Sequence, residues 1–228
     1  MIQHVENPVV EVHDLTVSYD KKPVLWDVDL TLPRGSLVGI VGPNGAGKST
    51  LIGIVTSLVS KTSGQVEIFG HDIDVNFAKA KSYLGVIPQE FNFDPGDTAM
   101  DTLIKAAGFH GVRRKDAIKK AKINLALVEL SNKKNKTIRQ LSGGMKRRLM
   151  IARALMHEPR FLILDEPTAG IDIEQRQLIW KLLSTLNEKG VTIILTTHYL
   201  EEAEMLCKNV VVIHQGKILK QARMQSLL

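Results

Sequence analysis

The run Gly42-Pro43-Asn44-Gly45-Ala46-Gly47-Lys48-Ser49-Thr50 constrains this chain more than any other segment. It follows a short, nearly all-apolar stretch, Ser36–Val41, and opens a helical pattern that runs from Lys48 to Leu58. Strand, glycine loop, helix is the setting in which backbone amides curl around phosphate. Gly42, Gly45 and Gly47 permit the inward turn, and the helix adds its positive N-terminal end. Lys48 offers a point charge to β- and γ-phosphates, and Ser49 a hydroxyl ligand for Mg²⁺. A phosphate loop of this kind also demands a parallel sheet behind it, so the fold class expected is α/β.

The rest of the chain supplies that sheet. Phe161–Asp165, Val191–Thr196 and Val210–Ile213 are continuous apolar runs, the pattern of parallel strands buried on both faces. Helical patterns at Ile173–Glu188 and Tyr199–Cys207 lie between them. Near the start, Val9–Val17 and Val24–Leu32 read as strands joined by the turn Asp20-Lys21-Lys22-Pro23. Gln65–Phe69 and Leu84–Ile87 are further strands. Between Asp97 and Met156 the texture becomes helical: Met100–Ala107, Arg113–Leu130 and Gly143–Met156. In the last of these, Met145, Leu149, Ala152, Leu155 and Met156 fall on one face at helical spacing. The expected organisation is one domain, 1–228. Its nucleotide-binding α/β core is 1–89 and 161–228, and a helical subdomain occupies 90–160.

Composition excludes several classes. No segment approaches the ~18 apolar residues of a membrane span. The first eight residues lack the basic start and apolar core of a secretion signal. Cys207 is the one cysteine, so no internal disulfide forms, and a half-buried structural role in a helix is expected for it. The net charge is +6, gathered at Arg113–Lys115, Lys119–Lys122, Lys133–Lys136 and Lys146–Arg148. Most such runs are solvated helix faces. None is interleaved with aromatics, so nucleic acid is not an expected partner, whereas an anionic membrane surface is.

Other residues carry candidate chemistry. Phe161-Leu-Ile-Leu-Asp165-Glu166 is a strand ending in two carboxylates. Side-chain alternation would aim Asp165 at Mg²⁺ and Glu166 at an attacking water. The alternative for this pair is a helix N-cap. His198 closes another apolar strand and could bridge the γ-phosphate and water. Gln89, after Leu84–Pro88, could touch metal or water as an uncharged amide. Tyr19 could stack on a base, while Trp26 and Trp180 read as core. In Leu141-Ser142-Gly143-Gly144-Met145, Ser142 offers a hydroxyl, the glycines permit close backbone approach, and a helix N-terminus follows.

The ordered set Tyr19, Gly42–Thr50, Gln89, Leu141–Met145, Asp165-Glu166, Asp172 and His198 closely resembles the ATP-binding cassette (ABC) ATPases, from about Val9 to Leu219. The resemblance implies a P-loop NTPase (RecA-like) core with an antiparallel β subdomain and an inserted α-helical subdomain. It implies ATP and Mg²⁺ as cofactors, with Lys48, Gln89, Glu166 and His198 catalytic. Tyr19, Gly42, Asn44, Gly45, Gly47, Lys48, Ser49 and Thr50 would bind the nucleotide, and Ser49, Gln89 and Asp165 the metal. Ala169-Gly-Ile-Asp172 resembles the D-loop. Ser142, Gly143 and Gly144 would act on ATP held by a second copy, which makes an ATP-sandwich homodimer with two composite sites. A separate membrane permease would be the other partner, placing the chain at the cytoplasmic face of a membrane. Met145 and Ala169 stand where many members have glutamine and serine.

Two lineages are visible. Pro8 to about Ser63 is similar to manganese/zinc-importer ATPases. From about Ala80, Leu84–Phe93, Leu141–Pro159 and Thr197–Cys207 resemble bacterial ABC-2-type exporter ATPases. A mosaic or engineered chimera would account for that. The stretch Gln89–Asp101, expected to face the permease, lies in the exporter-like part, so export is favoured. ABC proteins that act on DNA or ribosomes are the competing class; they usually carry a long coiled-coil insertion or two cassettes, and no sustained heptads occur between Ser60 and Leu141.

Overall fold

The computed structural model describes residues 7–20 and 22–226. The stretch read as lacking a secretion signal falls mostly in 1–6, and Lys21 of the first turn also lies outside the described residues. In chain order, β1 (Val10–Tyr19), β2 (Lys22–Leu32) and β3 (Leu37–Val41) precede α1 (Lys48–Val55). Then come β4 (Ser63–Ile68), β5 (His71–Asp72), α2 (Phe77–Ser82) and β6 (Leu84–Ile87). Helices α3 (Ala99–Phe109), α4 (Arg114–Leu127) and α5 (Gly143–Ala154) follow. The chain continues through β7 (Phe161–Asp165), α6 (Ile173–Glu188), β8 (Thr192–Thr197), α7 (Leu200–Leu206), β9 (Asn209–His214) and β10 (Lys217–Arg223).

The residues fall into two compact units. The first takes in the chain up to Val86, Arg160–Glu166, and everything from Leu186 on. It contains a four-stranded antiparallel sheet ordered β2-β1-β4-β5, and a six-stranded sheet ordered β10-β9-β3-β8-β7-β6. In the larger sheet β9, β3, β8 and β7 pair in parallel, and β10 returns antiparallel on β9. Phe161 to Leu164 of β7 are fully buried, as expected of a parallel strand covered on both faces. Leu30 and Leu32 of β2, Ile40 of β3, Leu51 and Ile54 of α1, and Phe161 belong to one core that joins the two sheets through α1.

Local chemistry decides where these elements stop. Helix α1 ends at Val55 rather than Leu58, because Thr56 Oγ1 donates back to the carbonyls of Ile52 and Gly53. Ser57 then turns left-handed (φ 55°), and the amides of Leu58 and Val59 both donate to Gly53 O. A side chain at Gly53 would meet Val59 Cγ2 at 2.6 Å, so glycine is what lets the chain fold back there. In β2 a bulge around Asp27 (φ 46°) breaks the alternation opposite Leu15–Val17. This overturns the core assignment of Trp26, whose side chain is 46% exposed on the bulge; Trp180 is half-buried.

The second unit, Ile87–Pro159 with Pro167–Thr185, is helical. Thr98 caps α3 by accepting from Asp101 N and donating to Asp101 Oδ2. Leu103 and Ala107 of α3 and Ala117, Ala121 and Leu125 of α4 are buried. Helix α5 was expected to have one apolar face. Instead Arg147 through Ala152 are all buried, so it is the central helix of its unit. The run Lys146–Arg148 is accordingly no solvated face: Arg147 and Arg148 are 3% and 6% exposed. Burial pushes the Arg148 guanidinium below its ordinary range, opposed by Glu129 nearby. Residues 167–185, read from sequence as part of the core, group with the helical unit. Leu178 and Leu182 of α6 share a cavity wall with Leu127, Val128 and Arg148, and Gln175 packs on Gly144.

Back in the first unit, α7 lies close on β3. A side chain at Gly39 would meet Cys207 Sγ at 3.1 Å and Ala203 Cβ at 3.3 Å. Cys207 is buried, more deeply than expected, and burial reinforced by Glu202 pushes its thiol well above the usual range. Native protein at pH 8 should therefore leave Cys207 unreactive to Ellman's reagent, and the thiol should titrate only on unfolding. Gly39→Val should lift α7 and make Cys207 react without denaturant; a variant as inert as the parent would show that the helix accommodates the bulk.

Candidate active site

Parallel register brings the first cluster together. Val41 of β3 pairs with Thr197 of β8, and Thr196 pairs with Asp165 of β7. The C-terminal ends of three strands thus share one edge of the sheet, where a doubly wound fold places its ligand. From β3 the chain enters the glycine loop. Gly42 is obligatory, since a Cβ there would lie 2.2 Å from Ile213 O. Gly45 (φ 78°) and Gly47 (φ 107°) adopt the left-handed region, and Gly47 also lies against Leu25. Asn44 and Gly45 are exposed, Thr50 is half-buried, and α1 starts at Lys48. The Lys48 stem is buried, and its ammonium donates to Gly42 O (2.8 Å) and Pro43 O (3.1 Å). The lysine therefore braces the loop from inside.

Opposite the loop, Ser49 Oγ lies 3.4 Å from Asp165 Oδ1. Thr196 links the carboxylates. Its hydroxyl donates to Asp165 Oδ1 and accepts from Glu166 N at 3.0 Å. Glu166 is left-handed (φ 47°), a conformation that costs a non-glycine residue about 1–3 kcal/mol. Its carboxylate turns to His198, whose Nδ1 is 3.1 Å from Glu166 Oε1. Asp165 and Glu166 do diverge, but not by strand alternation, because Glu166 lies one residue beyond β7. The left-handed turn separates them, and the Thr196 hydroxyl holds that turn in place. Thr196 was not singled out from the sequence; the signal available was a threonine pair ending an otherwise apolar strand. Tyr19 ends β1 with its ring 48% exposed.

The remaining candidates lie in the helical unit. Ser142 caps α5, its hydroxyl accepting from Met145 N at 3.3 Å. Ser142 and Gly143 are exposed, and nothing lies within 4 Å of a Cβ built on Gly143. Gly144 is different: a Cβ there would meet Gln175 Cγ at 2.8 Å, so its bareness serves packing inside the unit. Asp172 caps α6, its Oδ1 accepting from Gln175 N at 2.9 Å. Gln89 sits on the loop after β6, with its carbonyl held by Arg147.

A family model described as ABC transporter matches residues 25–169, more than half of the chain. The chain belongs to the ABC transporter family. It is 39% identical to linearmycin resistance ATP-binding protein LnrL of Bacillus subtilis over 211 residues, 92% of this chain and 68% of that protein. It is 36% identical to Nod factor export ATP-binding protein I of Cupriavidus pinatubonensis, covering 96% of this chain and 68% of that protein. Among solved structures it is similar to cbiO1 of Clostridium perfringens, part of the ABC transporter complex cbiONQ. That match has a TM-score of 0.90 at 28% identity and covers 97% of this chain and 91% of that one. It is also similar to a dimeric post-hydrolysis state of the ATP-binding cassette MJ0796 bound to ADP and Pi. There the TM-score is 0.85 at 28% identity, covering 94% of this chain and 98% of that one. The chain is thus an ATP-binding, ATP-hydrolysing cassette on a P-loop NTPase fold. LnrL aligns across the importer-like and exporter-like portions alike, which lends the mosaic no support.

Variants at two residues probe this cassette site. Thr196→Val should lower turnover about ten- to hundredfold, since it removes the hydroxyl bonded to both Asp165 Oδ1 and Glu166 N. Thr196→Ser should recover most of the rate; equal turnover of the valine variant would remove Thr196 from the mechanism. Lys48→Ala should abolish measurable ATP binding in calorimetry.

Proposed function

We propose that this cassette is the ATP-hydrolysing subunit of an exporter, that it closes as a homodimer around ATP, and that it drives a separate membrane permease. The observation that carries the catalytic part is the divergence of Asp165 and Glu166 about the Thr196 hydroxyl. One carboxylate faces Ser49 and the other faces His198, so the two acids have different work to do.

The amides of Gly42–Thr50 and the start of α1 receive the phosphates, and Tyr19 stacks on adenine. An ammonium has three N–H donors; loop carbonyls take two at Lys48, and the third goes to a phosphate oxygen. Ser49 and Asp165 are hard oxygen donors close enough to share one small cation, which fits Mg²⁺. Bound there, the ion would neutralise charge between the β- and γ-phosphates.

Glu166 accepts a proton from the attacking water as the water oxygen bonds to the γ-phosphorus. The bond to the β–γ bridging oxygen breaks, and ADP leaves with that electron pair. His198 fixes the Glu166 carboxylate and orients the γ-phosphate. From a second copy, the Ser142 hydroxyl and the free N-terminal amides of α5 at Gly143 and Gly144 cap that phosphate, and Asp172 stands at the same junction. Two copies related by a two-fold axis then form two such sites. The dimeric MJ0796 structure supports this assembly.

Export is supported by the relatives, among them a resistance protein and a Nod factor export protein. The transporter complex that contains cbiO1 supports a membrane partner. Among the described residues no helix is long and apolar enough to cross a membrane. In this reading the permease is a separate subunit and the cassette works against its cytoplasmic face. The segment Gln89–Asp101 selects that permease. No nucleic acid is required by this cycle.

Glu166→Gln should keep ATP affinity, reduce turnover below detection, and shift the protein to a dimer on size-exclusion chromatography only when ATP is present. Undiminished turnover would refute the role of Glu166, and a monomer at saturating ATP would refute the sandwich.

A further inference from the structure

The loop after β6 is held by side chains of α5. Between Ile87 and Ala99 the described residues form neither helix nor strand, apart from a single bridge at Thr98. Arg147 reaches this segment with both ends of its guanidinium fork. Nη1 donates to Pro88 O and Nη2 to Gln89 O, each at 2.8 Å. Two consecutive carbonyls are thereby fixed to one planar group, which sets the orientation of the peptide between them. The same guanidinium lies 5.0 Å from the Phe91 ring centre.

Six residues further along α5 the arrangement repeats. Arg153 donates through Nη1 to Asn92 O at 3.1 Å and through Nη2 to Asn92 Oδ1, and it covers the Phe93 ring at 4.9 Å. Phe91 and Phe93 stack at 6.4 Å. The loop is therefore clamped at Pro88-Gln89 and again at Asn92, with each arginine backed by a ring. Burial pushes the Arg153 guanidinium below its ordinary range.

We infer that Arg147 and Arg153 are positioning residues that make Pro88–Phe93 an appendage of α5, so that a load on the exposed Ser142–Gly143 end of that helix is transmitted to Gln89 and to the half-exposed ring of Phe91. The inference rests on the proposed reading that this end of α5 meets ATP. A rigid helix carries the coupling physically, because a buried, close-packed α5 moves as a body. A lysine in place of either arginine has one charged nitrogen and no fork, so charge alone would not reproduce the clamp.

The test uses the full chain carrying Glu166→Gln, followed by hydrogen exchange with and without ATP. The parent should show ATP-dependent slowing in three peptides: Gly42–Thr50, Ser142–Lys146 and Gln89–Phe93. Arg147→Met should keep the first two and lose the third by about tenfold or more, the value of a charge-assisted hydrogen bond or two. Arg147→Lys, the milder change, should lose most of it as well, and Arg153→Lys should lose it chiefly at Asn92-Phe93. Retained slowing at Gln89–Phe93 in both lysine variants would overturn the coupling while leaving the dimer intact. Absence of slowing at Ser142–Lys146 in the parent would instead overturn the composite site, and the coupling with it.

Discussion

The parallel register of β3, β8 and β7 is the constraint on which the nucleotide site depends. Pairing Val41 with Thr197 and Asp165 with Thr196 sets the phosphate loop, the two carboxylates and His198 at one edge of one sheet. These strands hold register because they are apolar along nearly their whole length. A slip by one residue would carry Thr196, and with it the hydroxyl that organises Asp165 and Glu166, away from its partners. Burial of Thr196 and Thr197 is tolerable only because their hydroxyls are spent on such partners. Hydrophobic burial and catalytic geometry are thus a single arrangement in this unit.

That dependence explains how much was legible in the sequence. The continuous apolar runs at Phe161–Asp165 and Val191–Thr196 have one plausible use, and the glycine loop fixes which end of the sheet matters. Local chemistry in short stretches was much harder to read. Trp26 lies in a strand whose alternation predicts nothing once Asp27 bulges, and the bulge itself has no strong residue signature. Thr196 was invisible as a functional residue because its importance comes from two partners 30 and 31 positions away. The separation of Asp165 and Glu166 was anticipated, but by strand alternation. Its actual cause, a left-handed glutamate, is a backbone state that sequence patterns seldom announce.

The helical unit teaches the opposite lesson about charge. Lys146-Arg147-Arg148 reads as a solvated basic run because runs of like charge usually are. Here two of the three are buried, and they are affordable because arginine spreads its charge over five donors that backbone carbonyls can absorb. Arg148 donates to Val128 O at the end of α4, and Arg147 to Pro88 O and Gln89 O. Side chains of one helix thus satisfy carbonyls that irregular backbone would otherwise leave to water. This is also why α5 departs from the amphipathic stripe expected of it: a helix that organises loops on several sides needs buried polar reach as well as an apolar face.

Gly144 sharpens the division of labour at the start of the same helix. The motif Leu141–Met145 contains two glycines, and they are not equivalent. Gly143 is exposed, with open space where a side chain would be, next to the exposed Ser142. Gly144 is pressed against Gln175 of α6, and Asp172, one turn earlier, caps that helix. An alanine at 143 would therefore crowd whatever approaches the helix end, whereas an alanine at 144 would push α5 and α6 apart. The two lesions differ in kind: the first acts on a ligand, the second on the alignment of two helices whose N-termini both carry candidate site residues. Spacing alone makes the glycines look like a matched pair; packing shows that a side chain at one would enter open space and at the other would meet α6.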